Sequence, residues 1–154
     1  MSFEVDVIVE IPHGSIYKYE VDKTTGTLVI DRPLRKKLPY NYGYVPNTLH
    51  EDGDPLDVCI LSNNPIYPLT KVKVNIVGAL KCKDNGFSDD KLLAIVVGDA
   101  PNLYYGGFFT EEALTQEIID YLSTYKEGFV VESQLSSKEA YQILMHDIQA
   151  YQNE

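Results

Sequence analysis

Asp52-Gly53-Asp54-Pro55-Leu56-Asp57 places three carboxylates within six residues, enough to begin an oxygen-only ligand set for a cation. Carboxylates this close repel, and each raises the pKa of its neighbours, so a chain that holds them together gains by placing a positive ion among them. Gly53 opens backbone angles closed to other residues and Pro55 fixes φ, which stiffens the turn. Oxygen donors favour a hard ion such as Mg²⁺, Mn²⁺ or Ca²⁺ over zinc. The spacing is not that of an EF-hand loop, because Leu56 stands where the third acidic ligand belongs and the glycine comes too early. For these residues alone, a solvated acidic turn is the plain alternative.

The rest of the chain decides between the two. Glu10-Ile11-Pro12, Lys18-Tyr19-Glu20, Asp31-Arg32 and Asn41-Tyr42-Gly43-Tyr44 precede the acidic turn, and Asp84, Asp89, Lys91 and Tyr125-Lys126 follow it. This ordered set, around an Asp-x-Asp-Pro-x-Asp run, resembles the soluble family I inorganic pyrophosphatases from Glu10 to Lys126. The resemblance implies metal-dependent hydrolysis of inorganic pyrophosphate to two orthophosphates by a metal-activated water, with Mg²⁺ as the cofactor and Mn²⁺ as a substitute.

It also implies roles. Asp52, Asp57 and Asp89 would hold a metal, with Asp57 bridging to a second ion. Asp84 and Asp89 would serve a further site on the substrate side, and Glu20 another, largely through water. Asp54 would orient and deprotonate the nucleophile, with Glu10 supporting from an outer shell. Lys18, Arg32, Lys91 and Lys126 would contact phosphate oxygens, and Tyr42 and Tyr125 would donate hydroxyl hydrogen bonds. An arginine can grip two oxygens through its planar fork, whereas a lysine acts as a compact point charge. The chain departs from the family where Asn85 replaces the glutamate common after the residue matching Asp84. Leu38 likewise stands where a tyrosine often precedes Pro-x-Asn-Tyr. The resemblance further implies a homo-oligomer, a hexamer in the compact prokaryotic form.

The elements that must carry these groups are legible as strands first and helices afterward. Val5, Val7, Val9 and Ile11 alternate with Asp6, Ile8 and Glu10, so Glu10 projects opposite the valine row. In the next strand Lys18 and Glu20 share a face. Residues 22–26 form a hairpin turn, and Thr27 to Arg32 the return strand. Asp57 to Leu61, a long strand through Val72 to Gly78, and Leu92 to Val97 complete the set. A helix is expected after Thr110 as N-cap, carrying Leu114, Ile118, Tyr121, Leu122 and Tyr125, with Gly128 as its C-terminal cap. A second opens with Ser136 and Glu139 in capping-box spacing and carries Ala140, Leu144, Ile148 and Tyr151 on one face. The expected fold is α+β: a five-stranded OB-like closed β-barrel with additional strands and two C-terminal helices, as a single domain over 1–154.

Composition bounds the function. The chain has 154 residues, enough for one domain with a real core. Against 23 acidic residues it has 13 Lys plus Arg, a formal charge of −10, which argues against a nucleic-acid surface. The absence of tryptophan also weakens any stacking platform for an oligonucleotide on the barrel. A small anion remains possible as a substrate, because bound cations and a few placed basic residues reverse the local field. Cys59 and Cys82 read as buried reduced thiols, and His13, His50 and His146 have no ligand spacing. An acidic N-terminus without a signal pattern, and no run of membrane-spanning length, give the expectation of a cytoplasmic protein with no membrane partner.

Overall fold

The valine row becomes β1 (Glu4–Ile11) in the computed structural model, which describes residues 3–22, 24–62, 64–99 and 111–154. Val7, Val9 and Ile11 are buried, as their alternation requires. β2 (Tyr17–Val21) and β3 (Leu28–Pro33) pair as an antiparallel hairpin that forms its own two-stranded sheet. There follow β4 (Asn41–Tyr44), β5 (Asp57–Ile60), β6 (Lys71–Asp84), β7 (Phe87–Ser88) and β8 (Lys91–Val96). The C-terminal part holds α1 (Glu111–Ser123), β9 (Phe129–Leu135) and α2 (Ser137–Gln152).

Five strands close on themselves. β1 pairs with β4, β4 with β5, β5 with β8, β8 with β6, and β6 returns to β1. Only the β5–β8 contact is parallel. The expected α+β barrel with additional strands and two C-terminal helices is therefore present. β6 makes closure possible because its 14 residues serve several partners. Its first part pairs with β1 and its last part with β7 and β9, and register shifts between Ile76 and Gly78 and between Lys81 and Cys82 bend it on the way.

Successive residues of β5 and β8 alternate between two cores. Val58, Ile60, Leu92 and Ala94 join Val7, Val9, Val74 and Ile76, together with Ala140 and Leu144 of α2. Cys59, Leu61 and Leu93 face the other way and pack with Leu114, Ile118 and Leu122 of α1. Both cysteines are buried and unbridged. Leu38 lies in that second core at 3% exposure, so the departure at this position is a packing residue.

Several local expectations needed correction. β4 and β9 were not read as strands. Gly43 shows why β4 is easily missed: a Cβ there would run into the Ile8 carbonyl oxygen, so the small residue is what lets β4 lie against β1. The first helix ends at Ser123, short of Gly128, because Ser123 Oγ donates to the Ile119 carbonyl at 2.7 Å and Thr124 also turns back onto the last turn. Its expected cap, Thr110, lies outside the described residues. On α2 the capping box is present, with Glu139 N donating to Ser136 Oγ at 3.2 Å and Ser136 N to Glu139 Oε1 at 3.1 Å, a motif that contributes about 1 kcal/mol. The buried face of α2 differs at one end, where Asp147 is 1% exposed and Tyr151 is 44% exposed. Asn85 and Gly86, at φ 50° and 87°, connect β6 to β7 as a two-residue hairpin turn, a conformation that suits asparagine followed by glycine and gives Asn85 a local reason.

Candidate active site

The parallel register of β5 and β8 creates the centre of the site. Asp57 opens β5 and Lys91 opens β8, and the two are direct neighbours across the pair. Lys91 Nζ donates to Asp57 Oδ2 at 3.0 Å and lies 3.5 Å from Asp89 Oδ1. Lys91 is only 4% exposed. Burial alone would lower its pKa, but Asp57 and Asp89 outweigh that and hold it well above the usual lysine range. Its ammonium also sits 5.3 Å from the Tyr42 ring centroid and 5.5 Å from that of Phe129. Tyr42, on β4, lies beside Asp57 and lines the same cleft. Burial, then Asp57 and Asp89, keep its hydroxyl protonated and so a donor.

The acidic turn hangs on His50. Its backbone N–H donates to the Asp54 carbonyl at 2.8 Å, and its carbonyl accepts from Gly53 N at 3.0 Å. Gly53 has φ 86°, the angle for which a glycine was expected. Asp54 N donates to Asp52 Oδ1 at 3.0 Å, and Leu56 N to Thr48 Oγ1 at 2.9 Å. The result brings one carboxylate oxygen each of Asp52, Asp57 and Asp89 within 4.8 Å of one another. Burial pushes the Asp57 carboxyl up, and Asp89 adds to this against the pull of Lys91. Asp52 is also pushed up, by burial and then by Asp57 and Asp54, against the hydrogen bond from Asp54 N. A cluster of oxygen donors short of positive charge fits a hard divalent cation.

Around this centre runs a cleft of roughly 820 Å³, lined by every site residue inferred from the sequence except Arg32. Lys18 and Glu20 reach it from β2, Glu10 from β1, Asp84 from the end of β6, and Tyr125 and Lys126 from the segment after α1. Arg32 joins indirectly: its Nη2 donates to the Tyr125 hydroxyl at 2.6 Å, and its guanidinium lies 5.1 Å from that ring centroid. Asp84 stands apart from the tight carboxylate trio and is paired with Lys126 at 2.7 Å. Lys18 lies 3.5 Å from Asp31. The cleft thus faces its carboxylates with lysines across a short gap, an arrangement suited to a cation and a small polyanion together.

The Glu10 carboxyl is strongly displaced. Burial, followed by Asp57 and Glu20 and opposed by Lys18, raises it from 4.5 to about 7. The folded chain therefore holds this proton more tightly than the unfolded chain does. The stabilisation is complete below pH 4.5 and lost as pH rises through about 7. In protein stripped of divalent ions, Tm of wild type is expected to fall over this window relative to Glu10→Gln, whose uncharged amide cannot titrate. Thermal scans across pH 4 to 8 check this, and parallel curves would show the proton to be of no consequence.

One part of the neighbourhood was missed. His50, treated as unremarkable in the sequence, has its ring between Asp147 of α2 and Asp90, at 2.6 Å and 3.5 Å. Burial would push the imidazole down, but hydrogen bonds and charge from Asp147 and Asp90 win and raise it to about 10. Asp90 is correspondingly held below its ordinary range; hydrogen bonding to His50 and to Cys82 N outweighs burial. Asp147 on a helix face of apolar spacing, at a position where leucine or valine would be expected, is the signal that was available.

Comparison with known proteins agrees with this geometry. The inorganic pyrophosphatase family model matches residues 7–152. A soluble inorganic pyrophosphatase of Chlamydomonas reinhardtii is 37% identical over 96% of this chain and 81% of its own, and one of Hordeum vulgare is 33% identical over 95% and 70%. The crystal structure of inorganic pyrophosphatase from Thermus thermophilus superposes with a TM-score of 0.85 at 33% identity, covering 97% of this chain and 91% of that one. A match that spans the acidic turn, the barrel and both helices, with relatives aligned along most of their own length, makes the chain a member of the inorganic pyrophosphatase family.

Proposed function

We propose that this chain, as a single domain over 1–154, is an inorganic diphosphatase that hydrolyses pyrophosphate to two orthophosphates with a divalent cation. The observation that carries this reading is the convergence of Asp52, Asp57 and Asp89 beside lysines on one cleft. Those three carboxylates would hold the cation, with Asp84 and Glu20 available on the substrate side. We read it as Mg²⁺, with Mn²⁺ as a substitute. When bound, such an ion lowers the pKa of the attacking water and neutralises phosphoryl oxygens.

The chain's own groups do the remaining work. Asp54 takes the proton of the water as its oxygen bonds to phosphorus and the bridging P–O bond breaks. Glu10 supports the water from behind. Lys18, Lys91 and Lys126 bind phosphate oxygens, Arg32 adds its two-pronged guanidinium, and the Tyr42 and Tyr125 hydroxyls orient the anion. Each of these cations has a partner inside the protein, and pyrophosphate exchanges those contacts for its own oxygens. With a formal charge of −10 the chain repels the substrate at long range, so affinity must come from this short-range set.

Phosphate release from pyrophosphate tests the reading. Turnover is expected with Mg²⁺, to vanish in excess chelator, and to be poorly supported by Ca²⁺, which is larger and polarises water less. Turnover that persisted in chelator would overturn it.

We further read the protein as a cytoplasmic homo-oligomer, a hexamer. Apolar side chains left exposed on the β2–β3 hairpin and on α2 support association: Val29 and Ile30 on the first, Tyr141, Met145 and Tyr151 on the second. The buried unbridged cysteines fit a reducing compartment, and no helix among the described residues is long and apolar enough to cross a membrane. Light scattering at assay concentration is expected to give six times the chain mass; a monomer would rule this out.

A further inference from the structure

The hydrolytic reading leaves the cluster of His50, Asp90 and Asp147 without a task. Their relative exposures are 5%, 8% and 1%. Burying three ionisable side chains is not needed for stability, since apolar residues of similar volume often do as well. Yet the cluster is fully connected. His50 Nδ1 donates to Asp147 Oδ2 at 2.6 Å. Nε2 lies 3.5 Å from Asp90 Oδ2 and 3.3 Å from both Ser88 Oγ and the Asp90 backbone nitrogen. Asp90 Oδ1 accepts from Cys82 N at 3.0 Å, and the Asp147 carbonyl accepts from Leu49 N at 3.0 Å. These contacts survive either protonation state of Nε2. Protonated, it donates to the Asp90 carboxylate; unprotonated, it accepts from the Asp90 N–H or the Ser88 hydroxyl.

The position of the ring gives the cluster its meaning. The same residue closes the acidic turn through its backbone, accepting from Gly53 N and donating to the Asp54 carbonyl. Asp52 lies two places further on. On the other side, Ser88 and Asp90 flank Asp89 directly. One residue therefore touches both segments that deliver carboxylates to the cation site, through its backbone on the acidic turn and through ring Nε2 on Ser88 and Asp90, while Nδ1 is fixed to a helix packed on the barrel.

We propose that His50, anchored by Asp147, is a positioning residue that sets the distance between the Asp52 turn and Asp89 and thereby raises affinity for the divalent cation. The inference rests on the pyrophosphatase reading of that carboxylate cluster. It adds to that reading a control point outside the cleft, on α2.

Calorimetric titration of the full chain with Mg²⁺ alone tests it. Asp147→Asn keeps the side-chain shape and weakens the anchor, so Kd is expected to rise about threefold, below the 10- to 100-fold usual for direct partners of metal ligands. The combined variant His50→Leu, Asp90→Asn, Asp147→Leu removes the three charges while keeping an apolar filling that can still pack. Its Kd is expected to rise about tenfold. Turnover lost at low Mg²⁺ should return as Mg²⁺ is raised, a split that a merely structural defect would not produce. Ile143→Val, one turn earlier on the same helix, is the control for general loosening and should leave Kd in place.

Either variant alone decides. Mg²⁺ affinity within twofold of wild type, or an equal loss in Ile143→Val, overturns the positioning role. A wild-type chain that bound no Mg²⁺ would overturn this role and the reading beneath it together. Normal wild-type binding with unaffected variants would overturn the positioning role only.

Discussion

Asp54→Asn is expected to lower kcat by about 10²- to 10⁴-fold, the range for loss of a positioned general base. The amide is isosteric but cannot accept the water's proton. The backbone contacts of residue 54 hold the turn, with its carbonyl accepting from His50 N and its N–H donating to Asp52 Oδ1. Both are independent of the side chain, so the turn should persist. The defect should then appear in kcat at saturating Mg²⁺, with little change in the Mg²⁺ concentration needed for half-maximal rate. Steady-state kinetics over a Mg²⁺ series are the check. A loss smaller than about tenfold would remove Asp54 from the role of base.

Asp57→Asn is expected to fail differently. Its carboxylate is the one that Lys91 holds at 3.0 Å and that meets Asp52 and Asp89 in the carboxylate cluster. Losing even an outer partner of a ligand typically costs 10- to 100-fold in metal affinity, so losing a direct charged ligand should cost at least about 100-fold. kcat/KM falls with it at any practical Mg²⁺ concentration. Stability should move the other way. Burial and Asp89 both push this carboxyl toward its protonated form, and Lys91 keeps Asp89 as a partner at 3.5 Å. In chelator, Tm of Asp57→Asn should equal or exceed that of wild type, a trade of stability for function common at active sites. Calorimetric Mg²⁺ titration and thermal scans of the same preparation measure both. Small and equal effects in the two variants would mean that their roles had been wrongly separated.

The parts of the site that were legible in the sequence share a physical cause. The acidic turn is local, and its glycine and proline encode its shape in consecutive residues. Glu10, Lys18 and Glu20 follow from alternation along single strands, and their arrival at the cleft needs only that those strands pair as expected. Leu38 and Asn85 read as departures until packing and turn geometry gave each a local reason. What was not legible depends on distance along the chain. His50 and Asp147 are 97 positions apart, and no periodicity announces their bond. β9 was hidden because a strand that pairs only with the end of β6 can keep Val130 and the polar run Glu132, Ser133 and Gln134 exposed, which breaks the alternation. The first helix was read too long because side-chain hydroxyls, rather than a glycine, turn back on its final carbonyls.

The one parallel contact in the barrel, between β5 and β8, has a consequence for how the protein lasts in a cell. Parallel neighbours cannot be joined by a tight turn. Asp57 and Lys91 are accordingly separated by 34 positions, and the ring shuts only when Glu4 comes opposite Asn75. Loop-closure entropy must be overcome before any of these pairs can form, so no fragment or early intermediate presents the cation site. A cation that binds there recognises the finished barrel alone. At a free concentration 100 times its Kd it would deepen the native well by about 2.7 kcal/mol, roughly a hundredfold fewer unfolded chains. Free divalent ion would then set the lifetime of the molecule against proteolysis as well as its rate of turnover.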